Sequence, residues 1–555
     1  MKVFSRLSAI IISLILILSI TISTSAATVD LAQTGSNTDI ASVSQKVESA
    51  GTKLEPTSDL PSSYSSREAG YVGVVRDQIA NTCWAYGSLS TLETALLKLG
   101  FEVTSFAPMH MNHWGTIRPD GTGWDRNEYS GGYAYISLGY LTSWQGPRLE
   151  SDYNETTPHA EYNNLDPIVK KQAQVNGIIY LDADDRTTIK TAIYNYGAAL
   201  GNYHVDDSMY NPATYAYYCN SEGLQTYQLN GHAISIVGWD DNFSRDNFRD
   251  DVKPQNDGAW LCKNSWGEYW GDNGYYWISY EDNYLFDTRF GHSYAFTDVD
   301  VYDETYTLYQ NEIDGATYEF ESISNMDVLT YINVFDAQDG FETIDKVNFE
   351  TTSLGAEYTI YSIPLKADNT PDNNKNSWKA IGNGTVSYNG YISVDTEDFD
   401  VKNEKFAIGV ELTKRNGSKN GIGVTEWLTA GGSRIFTPQS TRGMSYVLYG
   451  GSYVIDVMDF YRNYLADDIG GTFVIKAVGK EKAVSKISGD VDLDGIISVM
   501  DATYIQRVIA QIETISGQAL INADTDNDGV LSIMDATRIQ KKLAGHITDF
   551  EDTFN

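Results

Sequence analysis

Three short segments of this sequence each set one chemically useful side chain in an apolar or aromatic frame. They are TCWAYGS around Cys83, LNGHAISIVGWDDN around His232 and GAWLCKNSWGEYWG around Asn264. A thiol is mostly protonated at neutral pH, and a neighbouring imidazole raises its thiolate fraction by forming an ion pair. A carboxamide can hold the tautomer and ring plane of that imidazole without adding charge. Cys83, His232 and Asn264 therefore predict, in chain order, a nucleophile, a base and an orienting group.

The elements around these residues must hold them in place, and the sequence predicts which elements do so. Apolar residues recur at three- and four-residue spacing from Cys83 to Leu99, and Gly100 follows as a stop signal. This pattern predicts a helix with the thiol near its N-terminus, where unpaired N–H groups and the macrodipole favour a thiolate. The segments WLCK and GYYWIS, before and after Asn264, are predicted strands.

In their order and residue types, these motifs resemble those of the papain-like cysteine peptidases. The resemblance implies that residues 60–298 form an α+β peptidase, with a helical half followed by a β-rich half, that hydrolyses peptide bonds. It implies that Gln78 supplies a side-chain donor to the oxyanion, beside the backbone N–H of Cys83. It also implies that Trp266 shields the hydrogen bond between the base and the orienting group from water.

Two glycines extend the resemblance, and the loop before the nucleophile departs from it. Gly131 and Gly132 would line the substrate cleft, where bare backbone can bind an extended peptide as an added strand. Gln78 precedes Cys83 by five residues, whereas the family usually has six, and Ala80 stands where the family often has a disulfide-bonded cysteine. The shortened loop keeps an alternative open, namely a catalytically impaired papain fold that acts as a protein- or carbohydrate-binding module.

An internal repeat near the C-terminus carries a second kind of chemistry. GDVDLDGIISVMDATYIQRVIA begins at Gly489 and ADTDNDGVLSIMDATRIQKKLA begins at Ala523, 34 residues later. Each unit sets carboxylates at loop positions 1, 3, 5 and 12, with Gly at 6 and Ser at 9. Such spacing wraps hard oxygen ligands round Ca²⁺, and the backbone carbonyl at position 7 completes the set. The predicted ligands are Asp490, Asp492, Asp494, Ile496, Ser498 and Asp501 in the first loop, and Asp524, Asp526, Asp528, Val530, Ser532 and Asp535 in the second.

These duplicated loop–helix units resemble dockerins, the calcium-folded modules that attach enzymes to a cohesin-bearing scaffoldin. The resemblance implies a small α-helical module at residues 488–555, two structural Ca²⁺ ions that take no part in catalysis, a cohesin partner and a cellulosomal location. The implied contact residues are Val499, Met500, Gln506 and Arg507 in the first repeat, and Ile533, Met534, Gln540 and Lys541 in the second. Because the two sets nearly match, either repeat is expected to face the cohesin.

Residues 299–480 are predicted to form an all-β, sandwich-like domain, with a short linker at 481–487. KFAIGVEL alternates apolar with other residues, GTFVIKAV supplies another strand, and Asn389-Gly390 is a hairpin turn signal. No helix of convincing length is predicted there. The region resembles the lectin-like domain of some bacterial papain-like peptidases. Carbohydrate binding and a structural or substrate-positioning role both fit this resemblance.

The N-terminal segment predicts where the protein is located, and the composition limits the classes of partner it can bind. A basic start, an apolar run and TISTSAA predict a secretory signal peptide at residues 1–26, followed by a linker or short pro-segment at 27–59. The net charge of −36 argues against nucleic acid or anionic membranes as partners. Three cysteines are too few for a disulfide framework, so Cys219 and Cys262 are either paired or buried thiols. The sequence predicts a secreted, soluble protein that acts on proteins or peptides.

Overall fold

The computed structural model describes most of the chain between residues 60 and 550. The undescribed residues are 1–59, 104, 119, 154–171, 304, 314, 316–317, 321–325, 338–340, 403–404, 416, 427, 431–432, 450, 452, 465–470, 482–486, 494, 511, 514, 516, 527–530 and 551–555. The chain divides into two compact units, one up to Lys480 and the other from Glu481. The predicted signal peptide and N-terminal linker lie outside the described residues. Among the residues that are described, no helix is both long and apolar enough to cross a bilayer.

The elements are numbered in chain order. The described helices are α1 (Cys83–Lys98), α2 (Pro108–Trp114), α3 (Ala134–Thr142), α4 (Arg186–Tyr196), α5 (Val457–Tyr464), α6 (Val499–Ile509), α7 (Gly517–Ala523) and α8 (Ile533–Leu543). The strands up to residue 301 are β1 (Ser63–Ser65), β2 (Gly123–Trp124), β3 (Ala173–Leu181), β4 (Ala199–His204), β5 (Tyr210–Asn211), β6 (Ala216–Tyr217), β7 (Gly231–Asp240), β8 (Ala259–Lys263), β9 (Tyr275–Ser279) and β10 (Ser293–Val301). Those beyond are β11 (Tyr306–Tyr309), β12 (Tyr318–Phe320), β13 (Val328–Asp336), β14 (Phe341–Thr351), β15 (Glu357–Ile363), β16 (Lys379–Thr385), β17 (Gly390–Lys402), β18 (Lys405–Thr413), β19 (Ile422–Glu426), β20 (Leu428–Ala430), β21 (Ser433–Thr437), β22 (Ser445–Tyr449), β23 (Tyr453–Asp456), β24 (Gly471–Phe473) and β25 (Ile475–Glu481).

The predicted nucleophile helix is confirmed as α1, which begins at Cys83 and ends one residue before Leu99. Most of its apolar residues are buried, and Leu89 and Leu92 are fully so. Gly87 lets the helix lie directly on β7, since a Cβ there would come within 3.3 Å of the backbone of Ala233 and Ile234. This close approach sets the distance between the start of α1 and the first residues of β7.

One large sheet runs through the first unit, in the order β11-β25-β14-β17-β3-β10-β4-β7-β8-β9-β6-β5, with β1 paired to β7. The segments WLCK and GYYWIS are confirmed as β8 and β9, which pair antiparallel. The sheet continues past the predicted boundary at residue 298, because β17 pairs with β3 and sets Tyr391 opposite Ile178. The predicted order, a helical half followed by a β-rich half, is confirmed. The β-rich half, however, shares its sheet with the domain that follows.

The region from residue 299 to residue 480, called the β domain below, is built from two main sheets. Its second sheet has the order β16-β15-β18-β13-β22-β23, and KFAIGVEL is confirmed as part of β18. The hairpin expected at Asn389-Gly390 was wrong. The strands that flank it, β16 and β17, belong to different sheets, and Gly390 opens the pairing of β17 with β3. One short helix, α5, lies between β23 and β24.

The second unit is a small helical module. Its core consists of a few buried side chains, namely Val491, Ala502, Ile505, Ala523, Ala536, Ile539 and Phe550. Helices α6 and α8 begin after Ser498 and Ser532, whose side chains accept hydrogen bonds from the backbone N–H groups of Met500 and Met534. Helix α7, which the sequence did not predict, lies between the two repeats.

Candidate active site

Cys83 is the first residue of α1 and is partly exposed at the floor of a cleft. The residue before it, Thr82, is fully buried and donates a hydrogen bond from Oγ1 to the carbonyl oxygen of Ile79. This contact fixes the turn that leads into the helix. The thiol therefore lies where unpaired backbone N–H groups and the helix macrodipole favour negative charge. The other two cysteines, Cys219 and Cys262, are buried and free.

His232 is the second residue of β7, and its ring is buried. The strand pairs with β4 and places Tyr203 opposite His232. The hydroxyl of Tyr203 in turn accepts a hydrogen bond of 2.8 Å from Tyr276 on β9. The Tyr203 ring also lies edge-on to the imidazole, with the ring centroids 5.8 Å apart, so this aromatic side chain packs against it. Because α1 lies on β7, both reacting side chains line the same cleft.

Asn264 follows β8 and is hydrogen-bonded to the imidazole of His232. Its Oδ1 lies 2.8 Å from Nε2 of His232 and also accepts the backbone N–H of Ser265 at 2.8 Å. Since a backbone N–H only donates, the atom that receives it is the amide oxygen. An amide oxygen only accepts, so Nε2 of the neutral ring carries the proton. Nδ1 is then left with a lone pair, which can take the thiol proton.

Trp266 covers this hydrogen bond. Its ring stacks on the imidazole of His232, with centroids 4.7 Å apart and planes at 27°. Trp270 packs edge-on against Trp266 at 4.9 Å, and Tyr210 stacks on Trp270 at 5.0 Å. The Trp266 ring covers one face of the imidazole, and removing water from that face strengthens its polar contacts.

Burial shifts the pKa values of the two reacting groups in opposite directions. It lowers the pKa of His232 to about 4, although the hydrogen bond to Asn264 acts to raise that pKa. It raises the pKa of the Cys83 thiol, against the backbone N–H groups of Ala233, Trp84 and Cys83, which favour the thiolate. Burial alone therefore favours a neutral thiol and a neutral imidazole. The stabilisation of an ion pair has to come from the mutual attraction of its two members.

Gln78 lies in the same cleft, in a segment that pairs with the chain beyond Asn264. Its backbone N–H donates to the carbonyl oxygen of Ser265 at 2.8 Å, and its Oε1 accepts the Ser265 hydroxyl at 2.7 Å. Its Nε2 donates to the carbonyl oxygen of Ala80 at 2.9 Å. An amide nitrogen has two N–H groups, so a second donor remains. The shortened loop is accommodated at Ala80, whose φ of 52° is uncommon for a residue with a side chain.

Gly131 and Gly132 form one wall of the cleft. A Cβ on Gly132 would lie 2.4 Å from the indole of Trp84, so only glycine fits there. Arg126 holds this wall, donating from Nη2 to the carbonyl oxygen of Ser130 at 2.6 Å and from Nε to that of Gly131 at 3.1 Å. Its guanidinium also lies 5.3 Å from the ring centre of Trp84. No sequence motif marks Arg126, and its role emerges only from these contacts.

The cleft has a volume of about 570 Å³, and it contains side chains that the sequence motifs did not single out. Val205, Asn230 and Phe290 contribute from residues 60–298, and Ile435 contributes from the β domain. Of the predicted site residues, Cys83, His232, Gln78, Gly131, Gly132 and Trp266 all line it. Asn264 reaches it through His232.

The second unit gathers carboxylates in each repeat. Asp490, Asp492 and Asp501 offer oxygens within 4.8 Å of one another, and so do Asp524, Asp526 and Asp535. Asp494, Asp528 and Val530 lie outside the described residues. Carboxylates at such distances repel one another unless a cation offsets their charge, and hard oxygen donors suit Ca²⁺. The donor set fits a calcium ion in each loop.

The position-12 carboxylate closes the first loop on itself. Asp501 Oδ1 accepts the backbone N–H groups of Val491 at 2.6 Å and Asp492 at 3.1 Å, and its Oδ2 accepts that of Ser498 at 2.7 Å. In the second loop Asp535 accepts the backbone N–H of Ser532 at 2.8 Å in the same way. The ends of each loop are thus drawn together around the carboxylate cluster.

Family models match three consecutive parts of the chain. A papain family cysteine protease model matches residues 60–294, a lectin like domain model matches residues 308–478, and a dockerin type I domain model matches residues 488–544.

Among solved structures, two describe Cwp84, a surface layer associated protein of Clostridium difficile. The structure of its cysteine protease and lectin-like domains is 32% identical, with a TM-score of 0.65, and the match covers 76% of this chain and 90% of that one. The structure after propeptide cleavage is 32% identical, with a TM-score of 0.66, and the match covers 76% of this chain and 99% of that one.

Among curated proteins, a cathepsin L-like proteinase of Fasciola hepatica is 27% identical over 222 residues, which is 39% of this chain. Cathepsin S of Bos taurus is 26% identical over 231 residues, which is 40% of this chain. The chain spans 59% and 61% of the lengths of these two relatives.

Proposed function

The chain belongs to the papain family of cysteine proteases, and we propose that it is a secreted cysteine endopeptidase that uses Cys83, His232 and Asn264. One observation carries the proposal. The imidazole of His232 is held by the Asn264 amide oxygen at 2.8 Å beneath the Trp266 ring, on the strand that lies against the start of α1. This arrangement leaves Nδ1 to serve the Cys83 thiol, as nucleophilic catalysis by a weakly acidic thiol requires.

Acylation begins when the thiol proton of Cys83 passes to Nδ1 of His232 and Sγ attacks the scissile carbonyl carbon. The carbonyl oxygen becomes an oxyanion, which accepts the backbone N–H of Cys83 and the second N–H of Gln78 Nε2. When the C–N bond breaks, His232 returns the proton to the leaving amine. A thioester then joins the acyl part of the substrate to Cys83.

Deacylation uses the same groups in reverse. A water molecule replaces the leaving amine beside His232, which takes its proton as the hydroxyl attacks the thioester carbon. The C–S bond breaks, the acid product leaves and Cys83 recovers its proton. Asn264 keeps the ring plane fixed through both halves, so that one nitrogen can serve as base and then as acid.

An epoxide that alkylates papain-like cysteines tests this proposal on the mature protein. We expect labelling at Cys83 and cleavage of an unfolded protein substrate, both lost in Cys83→Ala. His232→Ala should lower turnover by about 10³-fold or more, because nucleophile and base act as a unit. Cys262→Ala is the matched control, since that thiol is buried and outside the cleft. Proteolysis by a verified Cys83→Ala preparation, or no cleavage by the parent, would favour the non-catalytic binding module instead.

We further propose that the second unit is a calcium-dependent module that binds a cohesin and so attaches the enzyme to a cellulosome scaffoldin. The dockerin type I match and the paired carboxylate clusters support this. The apolar residues at loop positions 10 and 11 are exposed, with Val499 and Met500 at 60% each, Ile533 at 52% and Met534 at 45%. Exposed apolar pairs of this kind suit a protein partner. Gln506, Arg507, Gln540 and Lys541 lie on the helices that follow.

Near-identity of the two repeats implies two binding orientations. Changing Val499 and Met500 together to Asp should leave cohesin affinity nearly intact, because the second repeat can take over. Changing Ile533 and Met534 as well should abolish binding, as measured by calorimetry with a purified cohesin in calcium. Loss of binding from the first pair alone would rule out the dual orientation but not the cohesin partner.

A further inference from the structure

We propose that the β domain forms part of the substrate cleft and that Ile435 selects an aliphatic side chain in the acyl portion of the substrate. The inference rests on the proposed peptidase function and adds a specificity residue from outside the peptidase segment. Ile435 lies on β21, more than 340 residues from Cys83 in the sequence, yet both line the same cleft.

A backbone connection places Ile435 there. Strand β21 pairs antiparallel with β2 and sets Phe436 opposite Trp124. The backbone N–H of Asp125 extends this pairing by donating to the carbonyl oxygen of Ile435 at 2.9 Å. The rings of Trp124 and Phe436 lie 4.7 Å apart, and both are buried. Ile435, the neighbour of Phe436 on β21, is only partly buried and lines the cleft.

A buried ion pair anchors the same region a second time. Arg118, just before β2, lies 3.8 Å from Glu312 of the β domain, and both side chains are at most 10% exposed. Glu312 also accepts the backbone N–H of Gln439, two residues after β21. The segment from Ile435 to Gln439 is therefore fixed to the peptidase at two points, through β2 and through the Arg118–Glu312 pair. A rigid wall discriminates between substrates better than a mobile one does.

The surroundings of Ile435 indicate which part of the substrate it meets. His232 has to protonate the leaving amine, so that amine lies beside the imidazole, and the acyl portion extends along the Gly131–Gly132 wall. Trp124 and Tyr133 stand beside this wall, and Val205 and Phe290 also line the cleft. A pocket with these apolar side chains favours an aliphatic substrate residue by burying its surface.

Peptide cleavage profiles test the inference. The measurement is kcat/KM for pairs of fluorogenic peptides that differ at one acyl-side position, with Leu or Val in one and Ala in the other. For Ile435→Ala we expect the preference for the aliphatic peptide to fall about 10-fold or more, since a few methylene groups in an apolar pocket are worth that much. Cleavage of the Ala peptide should change little. Val328→Ala is the matched control, because Val328 is an exposed aliphatic residue of the β domain outside the cleft lining.

Each outcome decides one question. A folded Ile435→Ala enzyme with the parental profile at every acyl-side position would overturn the inference and leave the proposed peptidase intact. A parent that cleaves no peptide would overturn both. The melting temperature and the rate of epoxide labelling at Cys83 verify that the variant is folded. If Ile435→Ala does not fold, Ile435→Val removes a single methylene, and a shift of about 3-fold in the same direction is then expected.

Discussion

The ammonium group of Lys476, on the last strand of the β domain, donates a hydrogen bond to the backbone carbonyl oxygen of Thr142 at 3.0 Å. Both residues are buried, at 2% and 3% exposure. Thr142 ends α3, where helix carbonyls have no partner within the helix and a cation is favourable. The β domain thus caps a helix of the peptidase.

Removing this cap should destabilise the first unit. Lys476→Met leaves a buried carbonyl oxygen without its donor, so we expect the free energy of unfolding to fall by about 1–3 kcal/mol. Urea denaturation measures the change. Lys379→Met is the control, since that side chain is 57% exposed and its pairing with Glu397 should contribute little. Equal stability of Lys476→Met and the parent would show that the contact contributes nothing.

Asn264→Ala should lower kcat/KM by about 10- to 100-fold, because the imidazole loses its orienting partner. The pH profile gives a sharper readout. The acid limb of the parent should lie near pH 4, where burial places the pKa of His232, and the hydrogen bond to Asn264 acts to raise that pKa. Without this hydrogen bond the acid limb should move to lower pH. Asn256→Ala, a surface substitution, is the control and should alter neither kcat/KM nor the pH of the acid limb. An acid limb at higher pH in Asn264→Ala would contradict the assignment of Asn264 as the partner of His232.

Gln78→Ala should lower the acylation rate by about 10- to 10³-fold while Cys83 remains open to alkylation. The reason is that one oxyanion donor is lost while the thiol is untouched. Ser265→Ala removes only the hydroxyl that holds the Gln78 amide at 2.7 Å, so a smaller loss is expected. Single-turnover kinetics with an ester substrate measure acylation directly. An unchanged acylation rate in Gln78→Ala would mean that backbone donors alone form the oxyanion hole.

Lys263 gives a prediction about stability and pH. Its Nζ is buried with no hydrogen-bond partner among the described residues, and burial lowers its pKa from 10.5 to about 8. Between those two pH values the unfolded state holds more protons than the folded state, so stability rises with pH there, by up to about 3 kcal/mol. In Lys263→Met this rise should be absent. Denaturant titrations at pH 7.5 and pH 10 compare the two proteins, and an equal rise in both would refute the prediction.

Calcium should fold the second unit without affecting catalysis. The apolar core formed by its described residues is small, so we expect the free energy of ion binding to become free energy of folding for residues 488–548. We expect this segment to be largely unfolded with a chelator and to become helical when Ca²⁺ is added, as seen by circular dichroism. Peptidase activity should barely change.

Paired substitutions separate calcium binding from a general charge effect. Asp490→Asn together with Asp524→Asn should weaken the calcium response strongly, because both clusters lose a ligand. Glu513→Gln, which alters a surface pair with Arg507, is the control and should respond as the parent does. Full helicity in excess chelator would rule out calcium-coupled folding.

Local patterns in the sequence predicted the elements that carry the site. The spacing of apolar residues gave α1 to within one residue of its end, and β8 and β9 were evident from their composition. Such elements depend on neighbours within a few residues, which the sequence displays directly.

Contacts between distant segments were not predictable in this way. The pairing of Tyr391 with Ile178 and the place of Ile435 in the cleft join residues hundreds of positions apart, and no local period encodes them. The hairpin predicted from the turn signal at Asn389-Gly390 was wrong for the same reason. A glycine with φ of 142° suits several backbone paths, and here the close approach of Gly390 to the backbone of Ile178 decides which path the chain takes.

The sheet shared by the peptidase and the β domain bears on how this protein can change during evolution. A recombination event near residue 298 would separate β3 from β17 and leave unpaired strand edges on both products, a state prone to aggregation. The two segments should therefore be inherited together and diverge as one. The chain beyond residue 480 is a compact unit of its own. Recombination at that point would preserve both folds and could join the same peptidase and β domain to a different binding module.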